Sequence, residues 1–333
     1  MEFLKIKVNL PKKVYDILIN DMECFGFTKS DGSVNKNGFI NTLLKMYFST
    51  FTKNENETIR KVVDQAKIKE EVFEEIYSLL FEETFKKEGN YNKDLQFIIS
   101  KDNKDLCEEI FDFHLRNRSI SQFFREMFIL YSVNPQDKRE EILFKSIINK
   151  INLIIKNNKK ALIYFKNNSK KEIDLYQIVP TKEEYFNYIL GVIENNKKRE
   201  IVSYHLYDIS NVIEIEKKES SFSKEEKEKL ELTIFQNPAF AINRIEDVEV
   251  ELSEVGLRLF NLWVHDRPNP YKVEGNKYFF KACLIHIAIY FFKFASEAKI
   301  LKPKLVKDFI VDRLQIALDM YKDKLWIKKS LNG

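Results

Sequence analysis

The sequence predicts a multidomain α+β protein, and three observations carry that prediction. A strand–helix–helix order occurs twice in the first 131 residues. A strand-rich middle region follows. The last hundred or so residues then read strand, helix, two strands, helix, strand, with a closing helix. At 333 residues the chain can hold two or three bodies with their own cores. Only 8 Gly and 7 Pro are present, so long low-complexity linkers between them are not expected. The expected boundaries are 1–135, 136–225 and 240–330.

The first element is LKIKVNLP. Ile6, Val8 and Leu10 share one strand face, while Lys5, Lys7 and Asn9 share the other. Pro11 suits the first turn of a helix, in which Val14, Leu18, Met22 and Phe25 recur at helical spacing. After the turn TKSDGS a second helix opens near Asn35 and buries Phe39, Ile40, Leu43, Leu44, Tyr47 and Phe48. This strand–helix–helix order resembles a ribbon-helix-helix unit. The resemblance implies an antiparallel ribbon entering a DNA major groove, with Lys5, Lys7 and Asn9 facing the bases. It also implies a phosphate held at the amides of Asn35, Lys36 and Asn37. Lysines in water on a structural edge strand are the plainer alternative.

One such unit cannot bury its apolar strand face alone. Residues 94–131 supply a second: Leu95, Phe97 and Ile99 alternate, and Leu106, Ile110 and Phe113 recur helically. Ser119 can cap a last helix that buries Phe123, Phe124, Met127, Phe128 and Tyr131. An internal pseudo-dimer of two halves is therefore expected, joined by a helical stretch over about 57–87. Swapping with a second chain is the alternative. Gln96, Ile98 and Ser100 face outward on the second strand and add no lysine.

In the middle region the helix KSIINKINLIIKNNKK leads to strands ALIYFKN and EIDLYQIVPT, then to a hairpin turning near Asn195 and Asn196. A two- or four-residue loop puts Tyr188 on one face with Ile201, Ser203 and His205. Apolar residues on both faces predict a small closed barrel. The helix before ALIYF, the Val179-Pro180 step, the NYILG strand and the YHLYDISNV tail resemble the WYL family over Lys145–Glu216. The resemblance implies an Sm-like β-barrel. Asn187, Tyr188 and Ile189 stand where that family has Trp, Tyr and Leu, and His205 and Asp208 stand where it has arginines. Lys197, Lys198 and Arg199 would then supply the charge from the turn. Between barrel and tail, EKKESSFSKEEKEKLE reads as an exposed linker or helix. The final β-α-β-β-α-β order, with a hairpin at Gly275-Asn276, is ferredoxin-like. It also resembles the C-terminal extension that follows many WYL barrels.

Composition excludes some classes. A net charge of +4 is no polycation, so nucleic-acid binding would rest on local patches. Residues 156–171 form one, with six lysines and no acid. The three cysteines, Cys24, Cys107 and Cys283, are far apart and form no CxxC pair. The four histidines show no metal-ligand spacing, and no phosphate-loop, dinucleotide or nucleophile-elbow motif occurs. No cofactor, metal, catalytic residue or membrane span is expected, and the simplest location is a reducing cytoplasm. A ribbon-helix-helix head on a WYL barrel resembles the accessory WYL proteins that accompany type VI-D CRISPR systems. That resemblance implies a non-enzymatic regulator that binds single-stranded RNA in preference to duplex DNA and stimulates an RNA-guided RNA nuclease, and the resemblance of residues 240–330 to WYL extensions, which commonly mediate dimers, implies a homodimer held by that domain. The barrel residues expected at the RNA are Lys159, Lys160, Lys166, Tyr188, Lys197, Lys198, Arg199 and His205. The rivals are a transcription regulator with a ligand-sensing barrel and a protein-interaction scaffold.

Overall fold

Strict alternation in KIKVNL forms strand β1 (Lys5–Leu10), which pairs antiparallel with β2 (Lys93–Ile98), Lys5 opposite Ile98 and Leu10 opposite Lys93. The two strands come from one chain. Their inward residues Ile6, Val8, Leu10, Leu95 and Phe97 are all buried. The computed structural model describes residues 4–67, 69, 72, 75–76, 93–115, 118–183 and 185–322. These fall into two compact units, one of residues 1–150 with 184–186 and 206–210, the other of 151–183, 187–205 and 211–333.

In the first unit, helices α1 (Lys12–Cys24) and α2 (Lys36–Ala66) follow β1. The expected faces are buried: Val14, Leu18, Met22 and Phe25, then Phe39, Ile40, Leu43, Leu44, Tyr47 and Phe48. After β2 come α3 (Lys104–Glu109), α4 (Ile120–Ser132) and α5 (Gln136–Leu143). Ser119 caps α4 in a reciprocal box with Gln122, and Phe123, Phe124, Met127, Phe128 and Tyr131 are buried. Phe113 departs from expectation, being 72% exposed. Residues 110–114 form a π turn in which Leu115 N–H donates to Ile110 O at 3.0 Å, so the 3.6-residue phase that would align Phe113 with Ile110 is lost. Of the expected joining stretch, α2 extends to Ala66 and most of the remainder lies outside the described residues.

Both outer edges of the ribbon are bonded within the unit. Ser121 Oγ donates to Lys7 O and Arg125 Nε to Asn9 O, each at 2.9 Å. On the other side Asn37 Oδ1 accepts from Ile98 N at 3.0 Å, and Asn41 donates to Ile98 O at 2.9 Å and accepts from Ser100 N at 2.8 Å. Strand edges satisfied in this way offer little backbone to another chain. Two buried ion clusters lock the helices. Arg139 makes a bidentate contact with Asp21 at 2.6 and 2.8 Å, and Tyr131 donates to the same carboxylate at 2.8 Å. Arg118 bridges Glu55 and Glu126.

The second unit begins within α6 (Lys145–Lys156), whose Ile151 and Ile154 are buried. Strands β3 (Lys159–Phe165), β4 (Lys170–Pro180), β5 (Asn187–Asn195), β6 (Lys198–His205) and β7 (Ile209–Glu219) form a sheet of order β6-β5-β4-β3-β7. The closed barrel expected from two apolar faces is not formed, and the sheet is open. Two contacts explain how an open sheet is satisfied. Asn243 bonds both backbone groups of Ile201, N–H at 2.7 Å and O at 2.9 Å, so part of the β6 edge is occupied. Helix α7 (Lys224–Gln236) covers one face, its Leu230 packing with Val179, Leu190, Val192 and Ile201. Of the two readings for this segment, exposed linker or helix, the helix forms over Lys224–Gln236, opened by a Ser223–Glu226 capping box, and its Leu230 is packed on the sheet.

Strand β8 (Glu246–Leu252), helix α8 (Glu254–Leu262), strands β9 (Lys272–Glu274) and β10 (Lys277–Ala282), helix α9 (Leu284–Phe292), strand β11 (Ala298–Lys302) and helix α10 (Lys304–Lys322) complete the unit. The sheet order is β11-β8-β10-β9, with the hairpin turning at Gly275, φ +62°. Gly256 lets α8 start against the Glu297 carbonyl, which a β-carbon there would meet at 2.1 Å. Among the described residues no helix is long and apolar enough to cross a membrane.

Glu126 gives this fold a pH dependence. Burial, with repulsion from Glu55, pushes its carboxyl from 4.5 up to about 7 against the pull of Arg118. Below about pH 4.5 the group is protonated folded and unfolded alike. Between there and about 7 the unfolded chain releases the proton first, so stability is lost as pH rises, and above that the loss is complete. Glu126→Gln should therefore gain on the wild type between pH 5 and 8 in urea unfolding, by up to roughly 3 kcal/mol. Parallel pH profiles would contradict this.

Candidate nucleic-acid interface

The β5–β6 hairpin turns on two residues, Asn196 at φ +50° and Lys197 at φ +65°, which is the backbone of a type I′ turn. Asn tolerates this conformation at little cost, and Lys197 is carried with it into solvent. The two-residue loop sets the register, Asn195 opposite Lys198 and Tyr188 opposite His205. Gly191 is required in β5, because a β-carbon there would meet the Asp174 carbonyl at 2.4 Å.

Tyr188 and His205 meet as a pair. The hydroxyl lies 3.1 Å from Nε2, and the rings are 4.3 Å apart at 40°. Tyr188 is only 8% exposed, so its ring offers no open stacking platform; it positions His205, which is half-buried. Leu190, Val192 and Ile201 continue this face beneath α7.

The expected cations divide sharply. Arg199 is enclosed by acids. It donates to Asp174 at 3.0 Å, to Glu226 at 2.6 Å and to the Ser221 carbonyl at 2.7 Å. Its pKa is raised, first by the Glu226 hydrogen bonds. Burial works against ionised Glu226, yet bonds from Arg199 and the Ser223 amide hold its carboxyl below the usual range. Lys160 joins the cluster, 3.3 Å from the same Asp174, which is 1% exposed, and 3.7 Å from Glu172. Tyr176 donates to Glu231, and that bond pushes its hydroxyl up to about 12. The contacts of Arg199 with Glu226 and of Tyr176 with Glu231 latch α7 to the sheet. Lys198 pairs with Glu200 at 3.0 Å and Lys159 with Glu219 at 4.0 Å, both on the surface. Lys166 and Lys197 are exposed.

On the ribbon, Lys5, Lys7 and Asn9 all face solvent, as the alternation requires. Lys7 is paired with Asp94 at 2.6 Å. The start of α2 is already capped, since Asn35 Oδ1 accepts from Gly38 N at 2.9 Å and Asn37 is bonded to β2. Lys36 lies over the Tyr15 ring, 5.7 Å from its centre. Asp174, Glu226 and Glu231 were not singled out from the sequence. The i,i+4 spacing of acids and lysines in SKEEKEKLE and the Ser-x-x-Glu pattern at Ser223 are local signs of α7.

Comparison with known proteins gives a fold. No protein-family model matches the chain. No curated protein matches it either. A solved structure described as a CRISPR Cas-related protein matches with a TM-score of 0.69 at 19% identity, over 97% of this chain and 95% of that one. Proteasome accessory factor B/C of Arthrobacter aurescens matches at 13% identity and a TM-score of 0.26, over 80% of this chain and 46% of that one.

Arg199→Ala should cost about 2 kcal/mol in urea unfolding and expose α7 amides to hydrogen exchange. That is less than for a fully enclosed pair, because Arg199 keeps 30% exposure and Lys160 remains beside Asp174. Lys197→Ala should stay within about 0.5 kcal/mol of wild type. Equal effects would refute the division between latch and surface cations.

Proposed function

We propose that this protein is a non-enzymatic regulator that binds nucleic acid, takes single-stranded RNA in preference to duplex DNA, and stimulates an RNA-guided type VI-D CRISPR RNA nuclease. The observation that carries the reading is the full-length likeness to a CRISPR Cas-related protein. On this reading the β1–β2 half is a ribbon-helix-helix pseudo-dimer within one chain. The five-stranded sheet, whose last strand pairs with its first, is of the WYL type, and the terminal layer is ferredoxin-like. Exposed Lys166, Lys197, Lys198 and half-exposed Lys159 neutralise phosphates, and His205, held by Tyr188, meets a base. Arg199 serves by fixing α7 against the sheet, and Lys160 by pairing with the β4 carboxylates Asp174 and Glu172.

A second copy covers the tail. Leu305, Phe309, Ile316 and Met320 are 68%, 44%, 53% and 45% exposed and share one side of α10. Ile285 and Ile289 of α9 line the adjoining groove. Sedimentation should show a dimer at about ten micromolar, a concentration suited to a standard-sized interface. Leu305→Asp with Phe309→Asp should give a monomer. A monomeric wild type would rule this interface out.

Duplex DNA read by the ribbon is the rival, favoured by the outward Lys5 and Lys7. Fluorescence anisotropy with single-stranded RNA, single-stranded DNA and duplex DNA at two salt concentrations separates the readings. Single-stranded RNA should bind tightest, with affinity falling with salt and dropping roughly tenfold in the Lys197→Ala, Lys198→Ala double variant. Arg199 is left intact so that folding is not confounded. A duplex preference abolished by Lys5→Glu with Lys7→Glu would establish the rival, and binding to none of the three would end both. Added to the guided nuclease, the protein should raise RNA cleavage; no change would remove the accessory role.

A further inference from the structure

Three side chains of metal-ligating type, from two stretches far apart in sequence, converge in the second unit. Glu183 follows β4, and His265 and Asp266 follow α8. One donor atom from each lies within 4.8 Å of the other two. His265 Nε2 is 3.2 Å from Asp266 Oδ2. Donors around one ion at about 2.0–2.2 Å stand about 3–3.5 Å apart, so this trio needs only small side-chain adjustments.

Each carboxylate is held through one oxygen. Asp266 Oδ1 accepts from Asn237 Nδ2 at 2.9 Å, which leaves Oδ2 toward His265. Glu183 Oε1 accepts from the Asp266 amide at 3.1 Å. Glu183 Oε2 is shielded from solvent and has no hydrogen-bond partner among the described residues. A buried carboxylate oxygen with nothing to accept from is costly unless a cation answers it. The backbone is fixed as well. Asp266 sits at φ +55°, and its carbonyl lies 2.8 Å from Nε2 of buried His286. A carbonyl can only accept, so His286 carries its proton on Nε2. This is the outer shell expected around a metal site, with ligands oriented by amide, Asn and His partners.

We propose that Glu183, His265 and Asp266 bind a divalent transition ion of the Zn²⁺ type, with water completing the coordination. One imidazole with two carboxylates suits such an ion better than Mg²⁺ or Ca²⁺, which favour oxygen-only sets. Lys182 and Arg267 flank the site in sequence and restrain its affinity, so binding in the micromolar range is expected. The ion ties the loop after β4 to the loop after α8. This site does not depend on the nucleic-acid reading.

The test is calorimetric titration of Zn²⁺ into EDTA-treated full-length protein, with Co²⁺ absorption as a second readout. One equivalent should bind, and His265→Ala or Glu183→Gln should each weaken it at least about tenfold. The His265 side chain is 65% exposed, so that variant removes a ligand without opening a core. Co²⁺ should give visible d–d bands that both variants lose. Binding no tighter than millimolar, binding unchanged in both variants, or equal affinity for Mg²⁺ or Ca²⁺ would each overturn the assignment.

Discussion

Pairing of β1 with β2 underlies the first unit. Each strand carries an alternating apolar face that no single strand–helix–helix half can bury. The partner arrives from 83 residues further along the chain, Leu10 meeting Lys93. Once paired, the ribbon places five buried residues against the helices. The helices then return side chains to the ribbon edges, Ser121 and Arg125 on one side, Asn37 and Asn41 on the other. Core formation and edge protection are thus one event, and it is completed within a single chain.

The second unit obeys the same rule by different means. Its sheet has apolar residues on two faces and strand edges that need partners. α7 covers one face, and Asn243 occupies part of an edge. The cost is charge. Arg199 ties α7 to β4 through Glu226 and Asp174, and Lys160 is committed to Asp174 and Glu172 within the sheet, so two of the basic residues of this region are internally paired. This bears on any search for a cationic surface. A lysine run in sequence counts positive charges, but what a polyanion meets is the charge left exposed after internal pairing, and Lys197 on the Asn196-Lys197 turn is exposed.

Local pattern was readable because it depends on neighbours a few residues apart. Alternation in KIKVNL, the helical faces of Phe39–Phe48 and Phe123–Tyr131, the Ser119 cap and the two hairpins each carry their own period or turn chemistry. The internal pairing of two halves was inferable because one half leaves an unburied strand face. Phe113 was misplaced because nothing in the local spacing announces a π turn.

By itself, then, the sequence determined the elements, their order, the face that Tyr188 shares with Ser203 and His205, and the need for a strand partner. Tertiary structure alone decided that the five-stranded sheet stays open, that the polar segment after β7 folds back as a lid, that Arg199 is a latch, and that Glu183 comes to lie beside His265 and Asp266. The physical reason is sequence distance. Asp174, Arg199 and Glu226 are each 25 or more residues from the next, and Glu183 is 83 residues from Asp266. Periodicity and capping act over a few residues, whereas charge pairing and edge satisfaction act through space and are fixed only when the chain has folded.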